Sequence, residues 1–243
     1  MKKLLVMSDI HGNLSALDRV LEAEAEERLA GILLLGDLID YGPRSNEVVQ
    51  KIKQIPKDQL LVNLWGNHEQ AVMDMDYSRF SSERGKRCAE HTRQNLTEET
   101  FDFIENNMDR CGKKEIELFG RKCLAVHGSL EDLYWKSISH EETGENYAAY
   151  DIVFSGHSHI PHFFEHFYPA DCEQYRNKKR TVFLNPGSVG QPRNHNPNAH
   201  YAVIDLDTMT VQLKNIAYDI EKEAGLFSEE VDVFYRERLK MGI

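Results

Sequence analysis

Short apolar runs, each followed at once by small or polar residues, dominate the pattern of the chain. Residues 32–35 are consecutive aliphatic side chains, too few for a helix and typical of a strand buried on both faces. Gly36 and Asp37 end that run. The same order, an apolar run and then Gly or Ser with Asp, Asn or His, recurs at residues 6–11, 64–69, 125–128 and 153–159. Because ligands gather beyond the carboxyl ends of strands in open α/β sheets, the pattern predicts one site built from these strand ends.

The first part of the chain reads as alternating strands and helices. Strands are expected at residues 3–8, 32–35 and 60–65. Between them we expect one helix capped by Asn13 and a second that Ser45 caps and that runs through Ile55. A right-handed βαβ connection would place the strand ends at residues 9 and 37 on the same edge of the sheet. This opening predicts an α/β fold.

The rest of the chain predicts helices and then a second sheet. Residues 76–108 are helical and polar in pattern, and we expect the segment 76–112 to flank the site. Short strands are expected at residues 114–119, 122–126, 152–155, 162–167, 181–184, 201–206 and 209–217. The later ones are close together, which predicts a second, mixed or antiparallel sheet packed on the first. A last helix from Ser228 to Lys240 and the absence of a linker complete a prediction of one domain, residues 1–243.

Composition narrows the partners and the compartment. The chain has 243 residues and a formal net charge of −11, which disfavours duplex nucleic acid and anionic membranes as partners. The apolar run at the N-terminus is too short for a signal peptide, and no run is long enough to span a bilayer. The four cysteines, which form no C-x-x-C pair, are Cys88, Cys111, Cys123 and Cys172. Reduced thiols and a cytoplasmic location are therefore expected.

The polar residues at the strand ends suit metal ions. Together they offer carboxylate, amide and imidazole groups: Asp9, His11, Asp37, Asn67, His127, His157 and His159. Such a donor set suits Mn, Fe or Zn better than Mg or Ca, which prefer shells of oxygen alone. Two divalent ions would bring four positive charges against two from the aspartates, so the site would stay cationic and attract a phosphoryl group.

The order of these motifs resembles a known family. Asp9-Ile10-His11, Gly36-Asp37, Gly66-Asn67-His68-Glu69, His127 and Gly156-His157-Ser158-His159 resemble the five sequence blocks of the calcineurin-like metallophosphoesterases. Residues 185–193 resemble a loop of the small bacterial phosphodiesterase-like branch of that family. One block alone is weak evidence, whereas five in the same order are specific.

The resemblance implies a fold and a division of roles. The fold would be a four-layer α/β/β/α sandwich of two mixed β-sheets. Two divalent transition-metal ions (Mn favoured, Fe or Zn as alternatives) would be held by Asp9, His11 and His159 and by Asn67, His127 and His157, with Asp37 bridging them. His68 would be the general acid while hydroxide from the metal centre attacks phosphorus. Asp40 would orient the His68 ring.

One position departs from the family pattern. Related protein phosphatases carry an arginine that clamps phosphate where Tyr41 stands here. The missing cation could come from Arg44, from Arg193 or from the basic cluster Arg79, Arg84, Lys86, Arg87 and Arg93. For the cluster, which is interleaved with acidic residues, a solvated helix face is the more ordinary interpretation.

These observations predict a dimetal phosphodiesterase acting on a small organic phosphate or a nucleotide. A phosphomonoesterase and a dinucleoside polyphosphate hydrolase are the alternatives among enzymes. A non-catalytic scaffold, like the metallophosphoesterase-like subunit of retromer, is disfavoured because His68 and the seven ligand positions are all present. The sequence leaves the oligomeric state open.

Overall fold

The computed structural model describes residues 2–243, without the side chain of Tyr175. Its first sheet contains β1 (Lys3–Met7), β2 (Leu29–Leu34), β3 (Leu60–Asn63), β9 (Ala199–Asp205) and β10 (Thr210–Ile216). The strand order is β10-β9-β1-β2-β3. The three N-terminal strands are parallel, and the two C-terminal strands are antiparallel to their neighbours. The sheet is therefore mixed.

The second sheet contains β4 (Lys113–Leu118), β5 (Arg121–Val126), β6 (Ile152–Ser155), β7 (His162–Pro169) and β8 (Lys178–Asn185). Its order is β4-β5-β6-β8-β7, with parallel pairing at β5-β6-β8 and antiparallel pairing at both edges. Both sheets are thus mixed, which confirms the fold class predicted from the sequence.

Helices connect and cover the first sheet. They are α1 (Leu14–Ala23), α2 (Ser45–Lys53), α3 (Asn67–Asp74), α4 (Glu83–Asn95), α5 (Glu98–Asn107), α6 (Ile220–Ala224) and α7 (Val233–Met241). The Asn13 side chain caps α1 by accepting a hydrogen bond from the Ala16 N–H, as predicted. Among the described residues, no helix combines the length and the apolar character needed to cross a membrane.

The alternation of side chains along each strand builds the layers. On β1, Leu5 and Met7 pack under the helices, whereas Leu4 and Val6 face the second sheet. The outer face of the second sheet packs against Tyr147 and Tyr150, in a segment with 3₁₀ turns at His140–Glu142 and Glu145–Tyr147. That segment, rather than a long helix, forms the fourth layer.

The sheet assignment of the last two strands was wrong. The sequence predicted that residues 201–206 and 209–217 belong to the second sheet, but β9 pairs with β1 of the first. The reason is burial on both faces: residues 199–204 are all buried, so β9 is an inner strand that covers the side of β1 opposite β2. The more polar β10 then forms the edge.

The predicted ends of two helices were also wrong. Asp232, not Ser228, caps the last helix, which begins at Val233. The Ser45 hydroxyl accepts a hydrogen bond from the Asp40 N–H instead of capping α2, which ends at Lys53 rather than at Ile55. Serine oxygens serve turns as readily as caps, so sequence alone does not separate the two uses.

Candidate metal centre

The predicted ligand positions lie on strained backbone at one edge of the two sheets. Five of them have positive φ angles: Asp9 (53°), His11 (48°), Asp37 (55°), His157 (63°) and His159 (57°). Non-glycine residues adopt this region rarely, and such strain clusters at functional sites. The loops after β1, β2 and β6 turn sharply here, so their side chains point into one small volume.

A first donor group consists of Asp9, His11, Asp37 and His159, whose ligand atoms all lie within 4.8 Å of one another. Nε2 of His159 is 3.2 Å from Oδ1 of Asp9 and 3.2 Å from Nε2 of His11. Nε2 of His11 is 3.6 Å from Oδ2 of Asp37. All four residues are buried.

A second donor group consists of Asp37, His127 and His157, joined by Asn67. Nε2 of His127 is 3.4 Å from Oδ2 of Asp37 and 3.0 Å from Oδ1 of Asn67. Oδ1 of Asn67 is also 2.8 Å from Nδ1 of His157. The same oxygen of Asp37 therefore borders both groups.

The rings of three histidines are fixed by main-chain carbonyl groups. The contacts join Nδ1 of His11 to Ile39 (3.2 Å), Nδ1 of His127 to Leu35 (2.7 Å) and Nδ1 of His159 to Gln191 (2.5 Å). A carbonyl oxygen only accepts, so in the neutral ring Nδ1 carries the proton and Nε2 offers its lone pair to the interior. This is the orientation that metal-binding histidines adopt.

The cluster is rich in acceptors and poor in donors. Within the described residues, Oδ1 of Asp9 and Oδ2 of Asp37 are buried without a hydrogen-bond partner. The Nε2 lone pairs of His11 and His159 face each other at 3.2 Å. Burying acceptors without a hydrogen-bond donor costs free energy. Cations in the cluster would satisfy these two carboxylate oxygens and two ring nitrogens. The residues therefore fit two metal ions, and the donors are oxygen and nitrogen, as for transition metals.

Without cations, the charges of the clustered groups shift one another's pKa values. Although burial opposes ionisation of Asp9, His159 and His127 hold its pKa well below the usual range. Burial likewise opposes the charge on His127, but Asp37 outweighs it and raises the pKa of His127 to about 9. Burial and then the charge on His127 lower the pKa of His157 to about 4. Metal binding would displace the proton from His127.

His68 lies beside the cluster and is held by Asp40. The two side chains are joined by a 2.6 Å contact between Nδ1 of His68 and Oδ2 of Asp40. Nε2 of His68 is 4.0 Å from Oδ2 of Asp37. The other oxygen of Asp40 accepts a 2.6 Å hydrogen bond from the Thr92 hydroxyl. Burial opposes the charge of His68, but Asp37 and Asp40 raise its pKa.

Glu69 supports the loop that carries Asp37, and the sequence analysis did not predict this contact. Its buried carboxylate accepts hydrogen bonds from the N–H groups of Gly66 (2.7 Å), Asp37 (2.8 Å), Leu38 (2.7 Å) and Ile39 (3.2 Å). Burial and the nearby Asp37 raise the pKa of Glu69 to about 7 despite these donors. The available signal was its position three residues after Gly66, which is the spacing of a capping box.

A cleft of about 250 Å³ opens over this cluster. Beside the metal-ligand and acid candidates it is lined by Tyr41, Arg79, Phe80, Ser81, Trp135 and Arg193. Phe80 and Trp135 pack edge to face at 5.3 Å and form an aromatic wall. Neither had a sequence signal, because they come from loops that the fold alone brings together.

The basic residues suggested by the sequence differ in their surroundings. Arg193 lines the cleft, and so does Arg79, which is paired with Asp132. Arg44 lies outside the lining, and its guanidinium is bound to Glu223 and to the Ser15 hydroxyl. The remaining members of the basic cluster, Arg84, Lys86, Arg87 and Arg93, also lie outside the lining.

The two mixed sheets, with a donor cluster bridged by one aspartate, place the chain in the class of α/β phosphoesterases. The profile of the calcineurin-like phosphoesterase superfamily domain matches residues 1–209, and the chain belongs to that superfamily. It is therefore a hydrolase of phosphate esters, as the sequence predicted. The superfamily uses two metal ions, and the buried donor groups found here are suited to hold them.

Relatives agree with this assignment. A metallophosphoesterase from Sphaerobacter thermophilus superposes with a TM-score of 0.77 and 26% identity, covering 99% of this chain and 100% of its own. A hypothetical protein from Pyrococcus horikoshii has the same fold, with a TM-score of 0.75, 20% identity and coverage of 100% and 99%. The phosphodiesterase YfcE of Escherichia coli is 23% identical over 87% of this chain and 91% of its own.

Proposed function

We propose that the chain is a two-metal phosphodiesterase that hydrolyses a small organic phosphate or a nucleotide. The observation that carries the proposal is the single buried oxygen of Asp37 that borders both donor groups and has no hydrogen-bond partner among the described residues. Preference for a diester is supported by the relative named as a phosphodiesterase.

The ligand sets follow from the two donor groups. Asp9, His11 and His159 would hold one ion, Asn67, His127 and His157 the other, and Asp37 both. Bound divalent ions, with Mn favoured over Fe or Zn, would act as Lewis acids on the phosphoryl group and supply the nucleophile near neutral pH.

His68 and Asp40 would provide the proton for the leaving group. His68 lines the cleft, and its Nε2 faces the metal centre while Nδ1 is held by Asp40. In this orientation protonated Nε2 donates to the oxygen that leaves phosphorus. Asp40 keeps the tautomer and stabilises the charged ring.

The cleft favours a small substrate. Its volume of about 250 Å³ lies just below the roughly 300–1,000 Å³ usual for small-molecule sites. It suits a phosphoryl group with part of an organic group, and Phe80 and Trp135 give that group an apolar wall. Arg193 would contact the phosphate. The acidic surface disfavours duplex nucleic acid, and four free cysteines support the prediction of a cytoplasmic location.

The test compares bis-p-nitrophenyl phosphate with p-nitrophenyl phosphate, using Mn-loaded protein. We expect a higher kcat/KM for the diester and no turnover after removal of metal by a chelator. A strong preference for the monoester would replace the proposal by a phosphomonoesterase. Turnover of a dinucleoside polyphosphate with neither simple ester hydrolysed would favour the other alternative.

A further inference from the structure

The aromatic wall of the cleft lies next to the candidate acid and to one of the donor groups. The Phe80 ring packs edge to face against the His68 ring, with 5.2 Å between the ring centroids. The Trp135 ring lies 5.3 Å from the Phe80 ring and 6.5 Å from the His157 ring. All four side chains line the same cavity. The wall therefore runs from the acid candidate to a histidine of the second donor group.

Trp135 is the more accessible member of this wall. Phe80 is buried, whereas Trp135 is half-buried and keeps part of its ring exposed in the cleft. The indole N–H donates a 3.3 Å hydrogen bond to Oε1 of Gln70 on α3. Because the polar atom of the indole already has a partner, the surface that Trp135 offers to a substrate is flat and apolar.

Hydrogen bonds tie the loop of Trp135 to the loop of Phe80. Oδ1 of Asp132 accepts hydrogen bonds from the main-chain N–H groups of Tyr134 (3.2 Å) and Trp135 (3.1 Å). Oδ2 of Asp132 accepts a 2.6 Å hydrogen bond from Arg79, the neighbour of Phe80 in the chain. The Arg79 guanidinium also lies 5.2 Å from the centroid of the Trp135 ring, within the range of a cation–π contact. The wall is thus in place before a substrate binds, which lowers the entropic cost of binding.

The position of the acid candidate determines which part of a substrate meets the wall. In the proposed reaction, His68 protonates the oxygen that leaves phosphorus. The organic group bonded to that oxygen then departs on the side of the cleft where Phe80 packs on His68. A planar aromatic ring in that group can pack edge to face or offset-stacked on Trp135, which adds stabilisation beyond the burial of its area. A small alkyl group gains only the burial of its own apolar surface.

We propose that Trp135 is a specificity-determining residue and that, with Phe80, it binds an aromatic ring carried by the leaving group. The proposal rests on the phosphodiesterase assignment, with His68 as the acid. The substrate class is then phosphodiesters whose departing alcohol bears a planar aromatic ring, either an aryl group or a nucleobase. Arg79 and Asp132 hold the two loops of this ring subsite together.

The first test uses benzyl methyl phosphate, whose two alcohols are of nearly equal acidity. Mn-loaded protein can release either benzyl alcohol or methanol, and NMR of the products gives their ratio. We expect wild type to release benzyl alcohol in about 10-fold excess, because the ring then lies on the leaving-group side. Trp135→Leu, which keeps an apolar side chain, should bring the ratio close to unity, whereas Trp135→Phe should retain most of the excess. Phe167→Leu, at an exposed aromatic position outside the cleft lining, should match wild type.

The second test measures binding by calorimetry and needs no turnover. Benzylphosphonate and methylphosphonate are titrated into Mn-loaded protein. We expect wild type to bind benzylphosphonate about 10-fold more tightly and Trp135→Leu to lose that preference. Adenosine 5′-monophosphate and ribose 5-phosphate, compared in the same way, distinguish the source of the ring. Tighter binding of the adenosine compound identifies a nucleobase, whereas a preference confined to benzylphosphonate identifies a smaller aryl group.

Excess methanol from wild type, or a product ratio that Trp135→Leu leaves unchanged, would overturn the ring subsite. A slower Trp135→Leu with the wild-type ratio would mean that the ring only supports the fold, and thermal unfolding of each variant checks that the fold is kept. The two proposals fail in different ways. Release of both alcohols without a ring preference removes only the subsite. A binding preference that depends on Trp135, without release of either alcohol, removes only the phosphodiesterase.

Discussion

At the level of single residues, four of the five histidine rings at the centre are oriented by the group that contacts their Nδ1 atom. His11, His127 and His159 are held through Nδ1 by carbonyl oxygens, whereas Nδ1 of His68 is held by the carboxylate of Asp40. A carbonyl on Nδ1 turns Nε2 towards the centre, the orientation of metal-binding histidines, whereas a carboxylate on Nδ1 stabilises a charged ring suited to donate a proton. This difference supports the proposed division of roles between metal ligands and acid.

Replacing the acid should therefore spare the metals. We expect His68→Ala to keep both ions and to lower kcat by about 10²–10⁴-fold, the usual contribution of a positioned acid. Metal content of the purified variant and turnover of bis-p-nitrophenyl phosphate measure the two effects. His195→Ala, which removes an exposed histidine, is the control. Loss of metal from His68→Ala would show that the ring is a ligand.

Glu69 offers a second test, because an amide in its place keeps the shape and changes the donors. In wild type, the Glu69 carboxylate accepts hydrogen bonds from main-chain N–H groups. In Glu69→Gln, an NH₂ group would face some of these N–H groups, and neither side could accept a hydrogen bond. We expect a loss of about 1–3 kcal/mol in the free energy of unfolding, the usual cost of leaving buried donors unpaired. Denaturant unfolding of the metal-free protein measures it.

The control for this substitution is Glu47→Gln, an exposed glutamate in the first turn of α2. It should change the free energy of unfolding by less than about 0.5 kcal/mol. Equal stability of Glu69→Gln and wild type would mean that the loop around Asp37 does not depend on these hydrogen bonds.

The sequence predicted the positions that offer metal donors and missed the residues that support them. Asp9, Asp37 and His157 were recognisable because each lies just beyond the end of a strand and has a side chain that can bind metal. The sequence signal at Glu69 is the spacing of a capping box, which indicates the start of a helix and not a contact with the loop around Asp37. Trp135 reaches the cleft from a loop, where no periodicity indicates which way a side chain points. Their contributions depend on contacts between distant segments.

At the level of elements, helix α4 of the segment 76–112 contacts Asp40, and the polar pattern of this segment did not predict that contact. Cys88 and Thr92 are four residues apart, so both lie on the helix face turned towards Asp40. The Thr92 hydroxyl donates to Oδ1 of Asp40, and burial and then Asp40 raise the pKa of the Cys88 thiol. The helix thus fixes the carboxylate that orients His68.

Removing the hydroxyl of Thr92 should loosen this arrangement. We expect Thr92→Val to lower kcat by about 10-fold or more, as losses of supporting hydrogen bonds commonly do. Thr92→Ser, which keeps the donor, should retain most of the activity. The loss should be greater for a diester with a phenol leaving group than for one with p-nitrophenol, because only the poorer leaving group needs the acid. A uniform loss for both esters would indicate general disturbance of the fold.

The order of strands could be predicted only in part, for a similar reason. Parallel neighbours β1, β2 and β3 follow from short βα connections, which leave few topologies. The pairing of β9 with β1 joins residues about 200 positions apart. The local sequence of residues 199–205 does not indicate with which strand they pair. Burial of both faces, visible as the run of apolar residues 201–204, indicates an inner strand but not which sheet.

At the level of the whole molecule, the fold places the buried carboxylates of Asp9 and Asp37 together in a chain that already carries a net charge of −11. Without cations, mutual repulsion and unpaired acceptors at the centre oppose folding. Both sheets contribute strand ends to this centre, so cations there would tie the two halves of the sandwich together. The prediction of one domain, residues 1–243, remains a prediction, and it agrees with this shared centre.

Metal binding should therefore stabilise the entire chain. At Mn concentrations about 100-fold above Kd, mass action adds about 2.7 kcal/mol to the free energy of unfolding. For a chain of this size, that corresponds to a rise of about 5–10 °C in Tm. Asp37→Asn should abolish most of the rise, because this residue borders both donor groups, whereas Asp58→Asn, at an exposed position, should keep it. Thermal unfolding with Mn and with chelator provides the measurement. A Tm that Mn leaves unchanged in the wild type would contradict the metal centre itself, since ions held by buried residues of both sheets cannot bind the folded chain without stabilising it.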